Sequence, residues 1–318
     1  DEDNATPEET WPKALQLRPS ALLQQTDLIR ALCRDGIRIV ETTLITQHAW
    51  PELHQGTLYR RQVLSDAVKS LRTKKTEADE AKQEGQYKAL QTRIARDEKF
   101  VKFVGKWVVD RLSHHRGQIQ NAASDYIAIF QLGIGDVCAQ RVQALVENDV
   151  YVYPGQWASD KDGKPVWMVR NSVTDIQIYH NSGLINLIKT GFFNSPLAFR
   201  YKFKKHYVSS HPDRKEAELT IPIVALAATA FFAALYEWRE GKKVKTNRAK
   251  AEKFEGDNFK KVYDRHVETL SGLKKKVNAH HQVMSSLYSK VTDNNSQADT
   301  SAFIKGSALA VLDLDGLD

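Results

Sequence analysis

Along most of the chain the hydrophobic residues recur at helical spacing. Ser20 is placed to cap a helix whose apolar stripe runs Leu22, Leu23, Leu28, Ile29, Leu32, Ile37, Val40 and Leu44, ending near Gln47, with Gly36 as its weak point. Trp50-Pro51 breaks the pattern, and a second helix is expected from Gly56 to Leu71. Residues 72–86 hold no apolar side chain larger than alanine, so they read as a solvated helix or a linker. Tyr87, Leu90, Ile94, Val101, Val104 and Val108 follow heptad spacing interrupted by Asp97, too short a run for a coiled coil, and predict an amphipathic bundle helix. Leu112, Ile119, Ala122, Ala123, Tyr126 and Phe130 share one face before Gly133 and Gly135; Asp136 is then placed to cap a helix through Asn148.

The pattern changes once. VYVYPG (150–155) reads as β-like, and DKDGKP (160–165) reads as a turn before VWMVR, which together predict a small hairpin. Helices resume with Asn181 or Ser182 as a cap, Ser195-Pro196 marks another start, and Phe254 to Val291 predicts one long amphipathic helix or a pair. No repeat at a fixed period is present. The expected fold is mainly α: a single large helical-bundle domain over 20–292 with a β-hairpin insertion near 150–170. A disordered acidic lead (1–19) and a disordered acidic-hydrophobic tail (293–318) are expected to flank it.

TIPIVALAATAFFAALYEWREG (220–241) is the most apolar stretch. From Ile221 to Tyr236 Thr229 is its only polar side chain, yet a membrane span needs about 20 predominantly apolar residues. Six positions are alanine, which contributes little to insertion. Thr220 is placed to cap, Pro222 fits the first turn, and Gly241 sits where a C-terminal cap belongs. The stretch therefore predicts a buried central helix rather than an anchor.

Charge sharpens the picture. The formal net charge of +7 is the balance of acidic ends and a basic middle. Residues 1–9 carry five acids and no base and residues 293–318 a net −4, which leaves +16 on the remainder. Such a balance favours polyanionic partners, DNA or RNA. The opening DEDNATPEE lacks the basic and apolar regions of a signal peptide, and with Asp1 in place of an initiator Met the chain reads as a piece of a longer protein. Cys33 and Cys138 are too few for a disulfide framework and read as reduced, buried thiols of an intracellular protein, nuclear or cytoplasmic.

Two stretches could carry the partner chemistry. FRYKFKKHYV (199–208) interleaves Phe199, Tyr201, Phe203 and Tyr207 with Arg200, Lys202, Lys204 and Lys205; cations can neutralise phosphates while aromatics stack on bases, although an aromatic stripe is also ordinary core. GKKVKTNRAKAEKF (241–254) adds Lys242, Lys243, Lys245 and Arg248 on an expected flexible loop. Convergence of residues 200–205 and 242–248 on one face would strengthen the binding reading, and their scattering would defeat a site built from both. The terminal ALAVLDLDGLD offers Leu312, Leu314 and Leu317 as a peptide for a protein partner.

Enzymatic signals are thin. The chain has no G-x-S-x-G, P-loop, G-x-G-x-x-G or H-E-x-x-H, so no cofactor and no metal is expected. His114-His115 and His280-His281 are adjacent pairs whose rings should diverge on a helix. Asp175, His180 and Ser182 are close in sequence, but local capping accounts better for Ser182.

An ordered series of motifs resembles a known family: RG-x-I-x-x-A-A (Arg116 to Ala123), R-V-x-A-L-V-x-x-D-x-Y-V-Y-P (Arg141 to Pro154), G-F-F (Gly191 to Phe193), I-P-I-V-A-L-A-A-T-A-x-x-A-A-L-x-E-W-x-x-G (Ile221 to Gly241) and Y-D-R-H-V-x-x-L (Tyr263 to Leu270). The chain resembles, over about 85–290, a helical domain family of basidiomycete fungi catalogued as domain of unknown function 6532. The resemblance implies a fold family and a fungal origin, and carries no activity, cofactor or catalytic residue. The functional expectation is a non-enzymatic basic helical module binding nucleic acid through nonspecific phosphate contacts. The alternative is a protein-interaction scaffold using the helical surface and the terminal leucines.

Overall fold

The computed structural model describes residues 25–51, 56–73, 77–170, 176–194, 199–243, 254 and 256–293. The expected lead, the expected tail and the Ser195-Pro196 start lie outside these residues. Among the described residues the fold is mainly α, with ten α-helices and one two-stranded antiparallel hairpin. The first four helices are α1 (Asp27–Thr46), α2 (Gly56–Thr73), α3 (Glu77–Arg96) and α4 (Glu98–Asp125). Next come α5 (Gly135–Val146) and the strands β1 (Gly155–Ser159) and β2 (Pro165–Val169). The remainder is α6 (Ser182–Ile188), α7 (Phe199–Lys202), α8 (Ile221–Tyr236), α9 (Gly256–Lys274) and α10 (Val277–Thr292).

The helix α8 is the axis of the molecule. It packs against α4, α9, α1, α6 and α5. All six of its alanines are at most 2% exposed, and small side chains there let helices approach from several directions. At its start the Thr220 side chain makes no cap; its hydroxyl donates instead to the Ile45 carbonyl at the end of α1. Beyond its end, Gly241 takes a left-handed φ of +81° and packs on Gly135, whose N–H donates to the Gly241 carbonyl at 2.8 Å. Among the described residues no helix is long and apolar enough to cross a membrane.

Two expected elements resolve differently. The apolar series from Tyr87 to Val108 is two helices, because the Asp97 carboxylate accepts the Phe100 N–H at 2.9 Å and caps α4. The interruption in the pattern was the cap itself. The β-like VYV at 150–152 is a single 3₁₀ turn, and the first strand begins at Gly155. Asp149 in the left-handed region ends the preceding helical stretch and turns Tyr151 fully into the core, so tertiary contact overrides β propensity there. The hairpin itself forms as expected, pairing Gly155 with Val169 and Ser159 with Pro165.

Polar residues from the motifs that carry the resemblance tie these elements together. The Arg116 guanidinium donates to the Ala49 carbonyl at 2.8 Å and lies over the Trp50 ring, while Tyr263 accepts the Ala49 N–H at 3.1 Å. Arg265 forms a two-pronged pair with Asp149 at 2.5 and 2.6 Å. One residue on, His266 is buried between Tyr151, 2.6 Å from Nε2, and Tyr179, 3.1 Å from Nδ1. Burial and then the neighbouring Arg265 charge lower the His266 pKa to about 3, so the ring is neutral. A single proton arrangement satisfies every atom: Tyr179 donates to Nδ1, Nε2–H donates to Tyr151, and Tyr151 donates to the Ala228 carbonyl of α8. These motifs hold the fold.

Candidate functional site

On α1, Arg30, Arg34 and Arg38 follow at i, i+4 and i+8, with Glu41 less than one turn further on. Helical spacing places these four on one face. Arg34 and Arg38 are exposed; Arg30 pairs with Asp27, and Asp35 on the adjoining stripe is 9% exposed. Glu41 is buried, and its carboxylate is taken up by His115 of α4, at 3.0 Å, and by Lys202 of α7. Burial alone would raise the Glu41 pKa, but the hydrogen bonds from His115 and Lys202 outweigh it and hold the group below its ordinary value. Glu41 is thus a charged, covered anchor that fastens the 199–206 segment onto α1.

The four aromatics of that segment divide. Phe199, Phe203 and Tyr207 are at most 5% exposed and pack on His115, Phe192, Phe193 and Tyr288. Tyr201 is 71% exposed, with the Arg200 guanidinium 5.4 Å from its ring centre. Lys204 and Lys205 are exposed beyond it, and burial together with the Lys205 charge lowers the His206 pKa. Between residues 199 and 206 there is no acidic side chain. The docking of α7 through Lys202 sets the 199–206 segment, with exposed Lys204 and Lys205 and the Arg200–Tyr201 pair, against the half of α1 that also carries Arg38.

The second basic stretch does not join that face. Lys242 and Lys243 are exposed, and Lys243 lies 4.0 Å from Glu237 at the far end of α8. Glu41 is one turn from Ile45, which meets Thr220 at the start of α8. The 16 residues of α8 span about 24 Å at 1.5 Å per residue, so the described parts of the two stretches sit at opposite ends of the axis. Lys242 and Lys243 therefore do not converge with the 199–206 segment, and a binding face built from both stretches is not formed by the described residues. Lys245, Arg248, Leu312, Leu314 and Leu317 lie outside the described residues. Sequence reading missed Arg34 and Arg38, although their spacing with Arg30 was a signal available in RALCRDGIR.

A second feature is a cleft of about 730 Å³ between residues 214–217 and α10, bordered by Arg214, Glu216, Asn278, His281 and Ser285. At its base His281 Nδ1 is 2.7 Å from buried Glu218 and Nε2 is 3.4 Å from Glu216. Ser210 donates its N–H to Glu218 and its hydroxyl lies 3.1 Å from His280 Nδ1. Both His281 nitrogens face carboxylates, so this knot fastens the 209–218 segment to α10 rather than presenting a base to a nucleophile. His180 likewise is engaged by the Ile178 carbonyl and Ser286, and Asn181 caps α6; Asp175 lies outside the described residues. Among the described residues no group of three His, Cys, Asp or Glu side chains is placed to hold a metal ion. Cys33 and Cys138 are buried free thiols, and burial raises the Cys33 pKa to about 12.

Fold and side-chain contacts together define a mainly α-helical domain whose polar motifs are structural. The chain belongs to the family described as domain of unknown function DUF6532, whose sequence pattern matches residues 35–273. The match starts well before the expected residue 85, so most of α1, together with α2 and α3, is part of the family domain, while α10 follows it. No curated protein and no solved structure matches the chain.

Proposed function

We propose that this domain is a basic, non-enzymatic binding module that holds nucleic acid through phosphate contacts on the face made by α1 and the 199–206 segment. The observation that carries this reading is the Lys202–Glu41 ion pair, which docks a segment holding Arg200, Lys204 and Lys205 and no acid onto the helix that carries exposed Arg34 and Arg38. Cations held on a helix and on a segment pinned by an ion pair present fixed charges to a backbone of phosphates, a contact that positions without reading sequence. Such a module works where nucleic acid is, in the nucleus or the cytoplasm, and two buried free thiols accord with either.

The test is binding of a fluorescent 30-nucleotide DNA or RNA at low salt, with two sets of variants. Arg34, Arg38, Lys204 and Lys205, changed together to Ala, should weaken binding at least tenfold. Lys242→Ala with Lys243→Ala should change it less than about twofold, because those side chains stand at the other end of α8. Absence of binding by the unaltered protein, or an unchanged affinity in the fourfold variant, would overturn the proposal.

A further inference from the structure

Tyr201 is the one ring among Phe199, Tyr201, Phe203 and Tyr207 that is left exposed, and it stands beside a guanidinium. We infer that Tyr201, flanked by Arg200, is a stacking platform that makes this face select single-stranded over double-stranded nucleic acid, an inference that rests on the binding reading above.

The 199–207 segment has already met its own need for aromatic packing. Phe199, Phe203 and Tyr207 supply the buried contacts, and each is at most 5% exposed. Tyr201 contributes nothing to that core at 71% exposed. It sits instead on the one-turn helix α7, next to Lys202, whose ammonium is fixed on Glu41 and also lies 5.4 Å from the Phe203 ring. The backbone beneath Tyr201 is thus held by Lys202 on one side and by buried Phe199 and Phe203 on the other. Arg200 stands 5.4 Å from the ring centre, leaving a planar group and a cation presented together at the surface.

That pairing matches a strand whose bases are unstacked. In a duplex the base faces are covered by their neighbours and only phosphates and groove edges are offered, so the cations of this face would engage and Tyr201 would not. A single strand can lay one base on the ring while its phosphates reach Arg200, Lys204 and Lys205. Every base has a π face, so selection for single strands comes without preference for sequence. The sugar is not read by this contact, so single-stranded DNA and RNA are both accepted.

The experiment compares a 20-nucleotide oligothymidylate, an oligouridylate of equal length, a 20-base-pair duplex and heparin, using the whole chain and its Tyr201→Ala and Tyr201→Phe variants. The unaltered protein should bind both single strands about tenfold more tightly than the duplex, the alanine variant should lose that margin, and the phenylalanine variant should keep it. Heparin, a polyanion without bases, should bind all three proteins alike. Equal affinity for single strand and duplex, or a single-strand affinity indifferent to Tyr201→Ala, would overturn the inference while leaving phosphate binding intact. Failure of every polyanion to bind would remove both. Circular dichroism of the variants guards against misfolding, and an exposed position at 71% should leave the spectrum unchanged.

Discussion

At the scale of single residues, polar groups divide into buried anchors and exposed surface charges. His266 is the clearest anchor, neutral in the fold and satisfied by Tyr151 and Tyr179. Its folded pKa, about 3, lies far below the value near 6.5 expected when unfolded. The unfolded chain therefore takes up a proton below about pH 6.5 that the folded chain refuses, so stability is complete above that pH and falls as pH drops toward 3. His280, lowered by burial and by the Lys274 and His281 charges against the pull of Glu218, acts in the same direction. Urea unfolding at pH 7.5, 6 and 5 should show a decline approaching about 1.4 kcal/mol per pH unit from His266 alone. His266→Gln should be less stable at pH 7.5 yet flatter by roughly one proton; an equal slope in both proteins would contradict the assignment. Tyr151→Phe should cost about 1–3 kcal/mol, since Ala228 and His266 each lose a partner.

At the scale of elements, close approaches around α8 set which glycines matter. A Cβ at Gly241 would stand 2.5 Å from the Gly135 carbonyl oxygen, at a φ of +81° that L side chains rarely adopt. Gly241→Ala should therefore destabilise by roughly 1–3 kcal/mol. A Cβ at Gly183 would meet the Phe231 ring at 2.8 Å, so α6 and α8 touch there with no room to spare. Gly117, inside α4, has nothing within 4 Å of its would-be Cβ, and Gly117→Ala should stabilise by about 0.5–1 kcal/mol. Thermal unfolding of the three proteins checks the contrast, and a destabilised Gly117→Ala would count against the packing described. Most of this architecture was legible in the sequence. Periodicity found α1, α2, α5, α8 and the α9–α10 pair, and the Pro, Gly and alanine pattern read α8 as a buried axis. What local pattern could not convey was the fate of VYV, where Tyr151 follows a long-range partner, His266, 115 positions away. Nor could heptad spacing reveal that Asp97 ends one helix and caps the next.

At the scale of the whole molecule, charge is organised by docking rather than by sequence proximity. The two basic stretches, near each other in composition, are kept apart by the length of α8, whereas Lys202 reaches Glu41, 161 positions earlier, on the helix that also carries Arg34 and Arg38. Sequence reading picked Arg200, Lys202, Lys204 and Lys205 from local charge, and it passed over α1 because its arginines alternate with core residues. It also grouped Lys202 with the free cations, although that ammonium is spent on an internal ion pair. The family pattern covering residues 35–273 includes Glu41 and Lys202, while Arg34 lies just before it.

The central claim, that the α1 and 199–206 face holds nucleic acid through its phosphates, is tested most directly by the salt dependence of binding. Affinity for a single strand should fall linearly on a double logarithmic plot with a slope of about −3.5, as five released counterions require. Changing Arg34, Arg38, Lys204 and Lys205 together to Ala should flatten that slope by about three. A slope near zero, or one that the fourfold change leaves as it was, would contradict the account.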